Sequence, residues 1–309
     1  MEYKLIKYLF IACLAGASAR QISYGREVIV EDNKLLVAFD SDTAALTRME
    51  DKSTHWVIER RPELGVSFRL FAPLPERRYN PVFGQRQHVS AVNKISNDEV
   101  QFQWTNMVSE NGGTLPIALT ADVRLTNGVV VFGATLENDS PLTIETIDYP
   151  YFGDFNPPTR DSSLEARTLR DNKIGDLQSD EVYPHFRNEK GYWGVSYPTK
   201  TLEAQQSRFC LLQAPEQGLY VEMDNSDTAY RLQYTFEQHP GVVTASSNLV
   251  PKTDFISGFS VNLEFRLCHF IFQKPHSTTK LAPISLRCYQ GDWHKGIELY
   301  KENRSTRLR

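Results

Sequence analysis

The amino-acid sequence predicts an all-β protein, an antiparallel β-sandwich that ends in one short helix. Apolar and polar residues alternate with a period of two in many segments between about residue 25 and residue 287, which is typical of half-buried strands. A helical period is nearly absent before about residue 290. Many short strands joined by polar turns favour two packed antiparallel sheets.

Two segments show the strand pattern clearly. Val100, Phe102 and Trp104 alternate with polar residues, and the same alternation runs from Val261 to Leu267. Successive side chains of a strand point to opposite faces of the sheet, so each segment presents one apolar face to a core. The apolar alternation around Trp104, and likewise around Trp56, predicts that both indole rings belong to that core.

A hairpin is predicted where two such strands meet at Asn127-Gly128. A two-residue turn of type I′ needs a positive φ at both central residues, and Asn-Gly is the pair that adopts it most readily.

The segment from Asn156 to Arg187 has few strand signals and several acidic residues. We expect it to form a long loop, and long loops in compact domains are usually functional.

The N-terminal residues have the features of an export signal. Two lysines precede the apolar run Tyr8–Leu14, and Ala17-Ser18-Ala19 matches a signal-peptidase site. We therefore expect residues 1–19 to be removed and the protein to be secreted or periplasmic. The run is too short for a membrane span, which needs about 20 apolar residues. A lipid anchor on Cys13 fits the sequence less well.

Composition excludes several classes of function. The 309 residues contain 34 Lys and Arg against 38 Asp and Glu, and 40% are hydrophobic. The chain is therefore globular, and without a basic excess nucleic acid is not an expected partner. No metal-ligand spacing or phosphate-binding loop occurs, so no metal or cofactor is predicted. Cys210, Cys268 and Cys288 follow the signal; Cys210 and Cys268 form a disulfide, or all three are free thiols.

The C-terminal residues change to a helical pattern. Asp292 is a suitable N-cap for a helix that starts at Trp293. Trp293, Ile297 and Tyr300 recur at helical spacing and therefore share one face. An aromatic face needs a partner surface. The helix either docks back on the sandwich or connects it to a separate domain.

The run from Gly291 to Tyr300 resembles the linker helix of secreted glycoside-hydrolase-like proteins, in which a galactose-mutarotase-like β-supersandwich precedes a (β/α)₈ barrel. Lys34–Val57, Phe68–Arg78 and Gln217–Asp224 are similar to the strands of that sandwich, in the same order. The resemblance implies a β-supersandwich over residues 20–287 and a linker helix over 288–309. That family's catalytic carboxylates lie on the barrel, so we expect no catalytic residue in this chain. A separate barrel polypeptide that docks on the helix is a candidate partner.

The sequence offers one set of candidate carbohydrate-binding residues. Tyr192 and Trp193 lie between two glycines, and Tyr197 follows shortly after. Aromatic rings bind the C–H faces of sugars, while neighbouring carboxylates such as that of Asp154 accept bonds from hydroxyl groups. We assign these four residues to a glycan or oligosaccharide site. A core position remains the alternative for Trp193.

Three functions stay open at this stage. The first is a non-catalytic carbohydrate-binding accessory domain of the glycoside-hydrolase type. The second is a sugar-acting enzyme, an epimerase or part of a split hydrolase, for which His185 near Glu181 is the best acid–base pair. The third is a secreted protein-binding module, which predicts a large exposed apolar patch. For Tyr149 and Tyr151 a core position is favoured over ligand contact.

Overall fold

The computed structural model describes residues 26–159, 162–170, 173–183, 199–204, 207–223, 230–240 and 261–307. The predicted export signal lies outside the described residues, and so do Tyr192, Trp193, Tyr197 and His185. The assignments made for these residues therefore remain predictions.

Strands account for most of the described residues. The first twelve are β1 (Glu27–Glu31), β2 (Leu35–Asp40), β3 (Leu46–Asp51), β4 (Trp56–Glu59), β5 (Arg69–Phe71), β6 (Pro81–Phe83), β7 (Ala91–Lys94), β8 (Glu99–Trp104), β9 (Met107–Ser109), β10 (Gly113–Leu115), β11 (Ile117–Thr126) and β12 (Val129–Asn138). The others are β13 (Thr146–Phe155), β14 (Leu164–Arg170), β15 (Lys173–Tyr183), β16 (Thr199–Glu203), β17 (Phe209–Ala214), β18 (Gln217–Met223), β19 (Arg231–Pro240), β20 (Val261–Phe270), β21 (Ser277–Lys280) and β22 (Ile284–Gln290). One helix, α1 (Trp293–Arg307), follows them.

In the described part of the chain these strands form two large antiparallel sheets and a small hairpin. The first sheet has the order β1-β2-β3-β4-β13-β20-β19-β16, with β5 paired to β13 and β6 paired to β5. The second has the order β15-β14-β17-β18-β22-β12-β11-β8-β7, with β21 paired to β12. Strands β9 and β10 pair only with each other. The predicted all-β antiparallel sandwich is confirmed.

The core lies between the two sheets and is rich in aromatic rings. Phe265 on β20 stacks on Phe236 at 4.9 Å between ring centroids and on Phe152 at 5.8 Å. Trp56 and Trp104 are 1% and 2% exposed, as the sequence predicts. Burial of rings of this size is the main favourable term in the free energy of folding.

The predicted hairpin is present and is tied to the other sheet. Asn127 and Gly128 have φ values of +52° and +78°, and they connect β11 to β12. The backbone N–H of Gly128 donates to a carboxylate oxygen of Asp32 at 2.6 Å, and Asn127 accepts a bond from the Lys34 ammonium at 2.8 Å. Asp32 and Lys34 lie in the turn between β1 and β2. The tips of two hairpins, one from each sheet, are therefore joined.

The loop expected over Asn156–Arg187 is wrong for much of its length. β14 and β15 lie there and pair antiparallel, and β14 also pairs with β17. On β14, Leu164 and Ala166 face the core and are fully buried, and the residue between them is the charged Glu165. The neighbouring β15 is an edge strand, and edge strands tolerate polar residues on both faces, so its sequence lacks a clear period of two.

Helix α1 docks back on the sandwich. The carboxylate of Asp292 accepts the N–H of His294 at 3.0 Å, as an N-cap does. Ile297, Leu299 and Tyr300 are buried in a cluster with β17 and β18, where the ring of Tyr300 lies 4.7 Å from that of Phe209. The helix thus covers the outer face of the second sheet.

Close packing of this helix makes Gly296→Ala a test of the docking. A Cβ at this position would lie 2.6 Å from a methyl carbon of the fully buried Leu211 and 3.1 Å from the hydroxyl oxygen of Tyr289. We expect the free energy of unfolding to fall by about 1–3 kcal/mol, although alanine is the better helix former. Urea unfolding measures it.

Gly133→Ala is the matched control for Gly296→Ala. A Cβ at Gly133 would have no atom within 4 Å, so we expect a change within about 0.5 kcal/mol. Equal stability of the two variants would contradict the tight docking of the helix.

The described cysteines are free thiols. Cys210 is buried in the second sheet, whereas Cys268 lies on the first sheet with its side chain beside Asp148. Burial, followed by the charge of Asp148, raises the pKa of the Cys268 thiol above its ordinary value. A thiol held in its protonated form is a poor nucleophile.

Candidate functional site

Of the four residues assigned to the glycan site, Asp154 is the one that the structure describes, and it is buried. The backbone N–H and the Nε of Arg61 donate to its Oδ2 at 3.0 and 2.9 Å. Its own N–H donates to the carboxylate of Glu59 at 3.0 Å. The Asp154 side chain is 1% exposed. Because Arg61 binds both carboxylate oxygens, Asp154 fastens β13 to the segment after β4 and offers no oxygen to a ligand.

A polar surface does occur on the outer face of the first sheet, the face turned away from the core. In the register of β13 and β20, Phe152 pairs with Phe265 on the core side and Tyr151 pairs with Arg266 on the other side. In the next pair of strands Glu237 lies directly opposite Glu264. Alternation along three neighbouring strands therefore gathers these polar side chains on one face.

Arg266 is the centre of this group. Its Nη2 donates to Glu237 at 2.6 Å, its Nη1 to Glu264 at 3.3 Å, and its Nε lies 3.4 Å from Asp148. Arg69 on β5 donates to the same oxygen of Asp148 at 2.9 Å. We call Arg69, Asp148, Glu237, Glu264 and Arg266 the charged cluster. One carboxylate thus bridges two guanidinium groups.

Tyr151 lies within the charged cluster. Its hydroxyl donates to Glu264, and the guanidinium carbons of Arg69 and Arg266 lie 5.7 and 5.6 Å from the ring centroid. Contacts of this length between a cation and an aromatic ring are favourable. The ring is therefore held on the sheet by one hydrogen bond and two cations.

Electrostatics fix the protonation state of Arg69, Arg266 and Tyr151 near neutral pH. Burial disfavours the charged form of Arg266, but the acidic groups around it, Tyr151 and Asp148 foremost, outweigh this effect and raise its pKa well above the ordinary value. Burial, followed by the charge of Glu264, raises the pKa of Tyr151 well above its usual range. Both arginines are thus cations, and Tyr151 is a neutral hydroxyl donor.

Glu59 adds a second type of carboxyl group next to this face. It is fully buried, and burial, followed by the charge of Asp154, raises its pKa well above the ordinary value. A protonated Glu59 avoids repulsion between two adjacent buried carboxylates. Its environment therefore differs from that of the part-exposed carboxylates of the charged cluster.

Part of the charged cluster is accessible from solvent. The side chains of Arg69, Glu237 and Glu264 are 23%, 17% and 15% exposed. Guanidinium groups donate several hydrogen bonds in a fixed plane, and carboxylates accept them. The face therefore presents strong donors and acceptors side by side, already oriented by each other.

The buried histidine of this sheet has a structural role. His269 on β20 lies 2.7 Å from the carbonyl oxygen of Tyr149 through Nε2 and 3.1 Å from the hydroxyl of Tyr230 through Nδ1. That hydroxyl in turn accepts the N–H of Ala282 at 2.6 Å. Burial lowers the pKa of His269 to about 4. The ring is thus a neutral link between strands.

The described residues offer neither a metal-binding cluster nor a helix that could span a membrane. They contain no group of three or more His, Cys, Asp or Glu side chains placed to hold a metal ion. None of the helices in this part of the chain has the length and apolar character needed to cross a membrane.

Comparison with solved structures identifies the fold. A provisionally named aldose 1-epimerase from Escherichia coli K12 superimposes with a TM-score of 0.52 at 12% identity, covering 86% of this chain and 99% of that chain. The Slr1438 protein of Synechocystis gives 0.50 at 11% identity, with coverage of 85% and 96%. A galactose mutarotase-like protein from Lactobacillus casei gives 0.48 at 10% identity, with coverage of 86% and 100%.

The fold is thus that of the galactose-mutarotase-like β-sandwiches, as the sequence resemblance implies. At this level of identity the likeness defines the fold and not the activity. No protein-family model and no curated protein matches the sequence.

Sequence reasoning missed the charged cluster. In the sequence, Glu264 and Arg266 are only the polar half of an alternating strand. The buried positions favoured for Tyr149 and Tyr151 are confirmed, since these side chains are 6% and 4% exposed. The sequence contains one sign of the charged cluster. Charged residues occupy alternate positions of β20, and a further one, Glu237, occupies the matching position of β19. Only the strand register reveals that these residues meet.

Proposed function

We propose that this chain is an exported carbohydrate-binding accessory domain that binds neutral sugars at the charged cluster. The observation that carries the proposal is a part-exposed network of two arginines, three carboxylates and one tyrosine on a single face of a galactose-mutarotase-like sandwich. Its N-terminal pattern of lysines, apolar run and small residues supports export.

Sugar hydroxyls are both donors and acceptors, and this network suits them. The Glu237 and Glu264 carboxylates accept bonds from hydroxyl hydrogens, while Arg69 donates to hydroxyl oxygens. Because the charges already neutralise one another, a neutral ligand need not bring a counter-ion. Charge-assisted bonds of this kind are roughly twice as strong as neutral ones.

The balance of charge favours neutral over acidic sugars. The charged cluster holds three carboxylates and two guanidinium groups. The carboxylate of a uronic acid would be repelled by the carboxylates of the cluster, and Arg266 is already bound by three of them. We therefore expect hexoses and their oligomers to bind in preference to uronates.

Glu237→Gln tests the proposal with little change in shape. The exchange replaces a charged acceptor of the site, and loss of a hydrogen bond to a charged group costs about 1.5–3 kcal/mol. We expect the affinity for the best sugar of a glycan array to fall by about 10- to 100-fold, measured by titration calorimetry on residues 20–309.

Glu99→Gln is the control for Glu237→Gln. Glu99 is half-buried like Glu237 and is paired with Arg124, but it lies on β8 of the second sheet. We expect the affinity of the Glu99→Gln variant for the same sugar to equal that of the parent protein. Equal weakening in both variants, or no sugar binding by the parent protein, would contradict the proposal.

One observation favours the alternative of a sugar-acting enzyme. Glu237 and Glu264 lie directly opposite each other on adjacent strands, and glycoside cleavage uses two carboxyl groups at close range. Detection of reducing-end products or of anomer exchange for every bound sugar distinguishes the two functions. Binding without turnover supports the accessory domain; turnover that Glu237→Gln abolishes supports the enzyme.

The third candidate, a protein-binding module, has less support. The large hydrophobic residues exposed in the described part of the chain are Ile95, Val108 and Phe272, which lie on three separate segments. They do not form the contiguous apolar patch that such a module needs.

A further inference from the structure

We propose that Phe272, with the neighbouring rings of Phe71 and Tyr79, forms a second sugar subsite, so that the ligand is an oligosaccharide and not a single sugar. We call these three residues the aromatic platform. The inference rests on the proposed function, since it extends the site from the charged cluster along the same sheet.

Phe272 occupies a β-bulge at the end of β20. Ile147 pairs with His269, whereas Ile144 pairs with Gln273, so the chain after β20 contains one residue more than its partner. Phe272 in this bulge has a φ of +43°. This backbone conformation favours glycine and is an outlier for a bulky residue.

Neither packing nor hydrogen bonding explains an aromatic ring at this position. The Phe272 side chain is 58% exposed. The stabilising contacts of the bulge belong to Gln273, whose amide donates to the carbonyl oxygens of Leu136 at 3.0 Å and of Ser277 at 2.6 Å. Backbone strain of this kind is concentrated at functional sites.

Backbone hydrogen bonds place Phe272 and a second aromatic pair on opposite sides of Glu145. The N–H of Phe272 donates to the carbonyl oxygen of Glu145 at 3.1 Å, and the N–H of Glu145 donates to the carbonyl oxygen of Phe71 at 2.9 Å. The ring of Phe71 lies 5.8 Å from that of Tyr79. All three residues of the aromatic platform keep part of their surface exposed.

Arg69 connects the aromatic platform to the charged cluster. Its guanidinium carbon lies 5.4 Å from the ring centroid of Phe71 and 5.7 Å from that of Tyr151. Arg69 therefore contacts one ring of each site. A sugar bound at the charged cluster would have its neighbouring unit near these rings.

The chemistry of the aromatic platform matches the face of a sugar ring. Pyranose rings present C–H groups on their faces and hydroxyls at their edges, and aromatic rings bind the former. The charged cluster would hold the hydroxyls of one unit, and the aromatic platform would stack on the C–H face of the next. A chain of at least two neutral sugar units satisfies both.

Phe272→Gly separates this role from a structural one. Glycine adopts a φ of +43° without strain, so the free energy of unfolding should stay the same or rise. The affinity for the oligosaccharide selected on the array should fall by about three- to tenfold. The affinity for the matching monosaccharide should not change. Phe272→Tyr should retain the parent affinity for both.

Ile95→Gly is the control for Phe272→Gly, because Ile95 is equally exposed but lies in the turn between β7 and β8. It should leave both affinities unchanged. Two results would contradict the second subsite without affecting the proposed binding at the charged cluster. Either the Phe272→Gly variant binds the oligosaccharide as tightly as the parent protein, or its affinities for the oligosaccharide and the monosaccharide fall equally. If Glu237→Gln also has no effect, the proposed function is overturned with it.

Discussion

Arg266→Met should lower the free energy of unfolding at pH 7 by about 3–5 kcal/mol. Methionine fills the space of the arginine stem, but it leaves Asp148, Glu237 and Glu264 without their shared cation. Arg266 is the cation that these three carboxylates share, and removal of one partner from a largely buried ion network is costly because the remaining charges lose much of their compensation. Urea unfolding followed by circular dichroism measures the loss.

Arg124→Met is the matched control for this experiment. Arg124 pairs with Glu99, but its side chain is 64% exposed, and exposed pairs are worth about 0–1 kcal/mol. A loss no larger than that of Arg124→Met would contradict the buried network.

Acidification should destabilise the protein through His269. The pKa of this ring is about 4 in the folded protein against an ordinary value of 6.5. Above pH 6.5 the ring is neutral in both the folded and the unfolded state, so it contributes in full to the free energy of unfolding. Between pH 6.5 and 4 the unfolded chain binds a proton that the folded chain does not, so stability falls by about 3 kcal/mol in total.

His269→Gln isolates this effect from the titration of other groups. The amide can still donate to the carbonyl oxygen of Tyr149, but it does not titrate. At pH 7 we expect the variant to be less stable by about 1–3 kcal/mol, because the fit to Tyr149 and Tyr230 is lost. The difference in the free energy of unfolding between the variant and the parent protein should then narrow as the pH falls to 4. If the two plots of this free energy against pH ran parallel, His269 would not titrate on unfolding.

The sequence predicts the architecture well because the architecture depends on local patterns. A period of two at Val100, Phe102 and Trp104 follows directly from burial of one strand face, and the Asn127-Gly128 turn follows from backbone sterics. Asp292 caps α1 for an equally local reason. Each of these features needs only a few consecutive residues.

The candidate site depends on non-local register, which the sequence does not contain. Tyr151 and Arg266 are neighbours because β13 pairs with β20 across more than one hundred residues of chain. Asp154 has the same residue type as a sugar ligand, but the pairing of β13 with β4 buries it against Arg61. Residue type thus identifies candidates, and register decides which of them reach solvent.

The joined hairpin tips also bear on the order in which the protein assembles. Each hairpin depends on local contacts and can form within about 1–10 μs. The bond from Gly128 to Asp32 spans 96 residues, and closing so long a loop has a large entropic cost. This bond therefore exists only after the two sheets have come together. The hydrogen bond from Gly128 to Asp32 then stabilises the relative position of the two sheets.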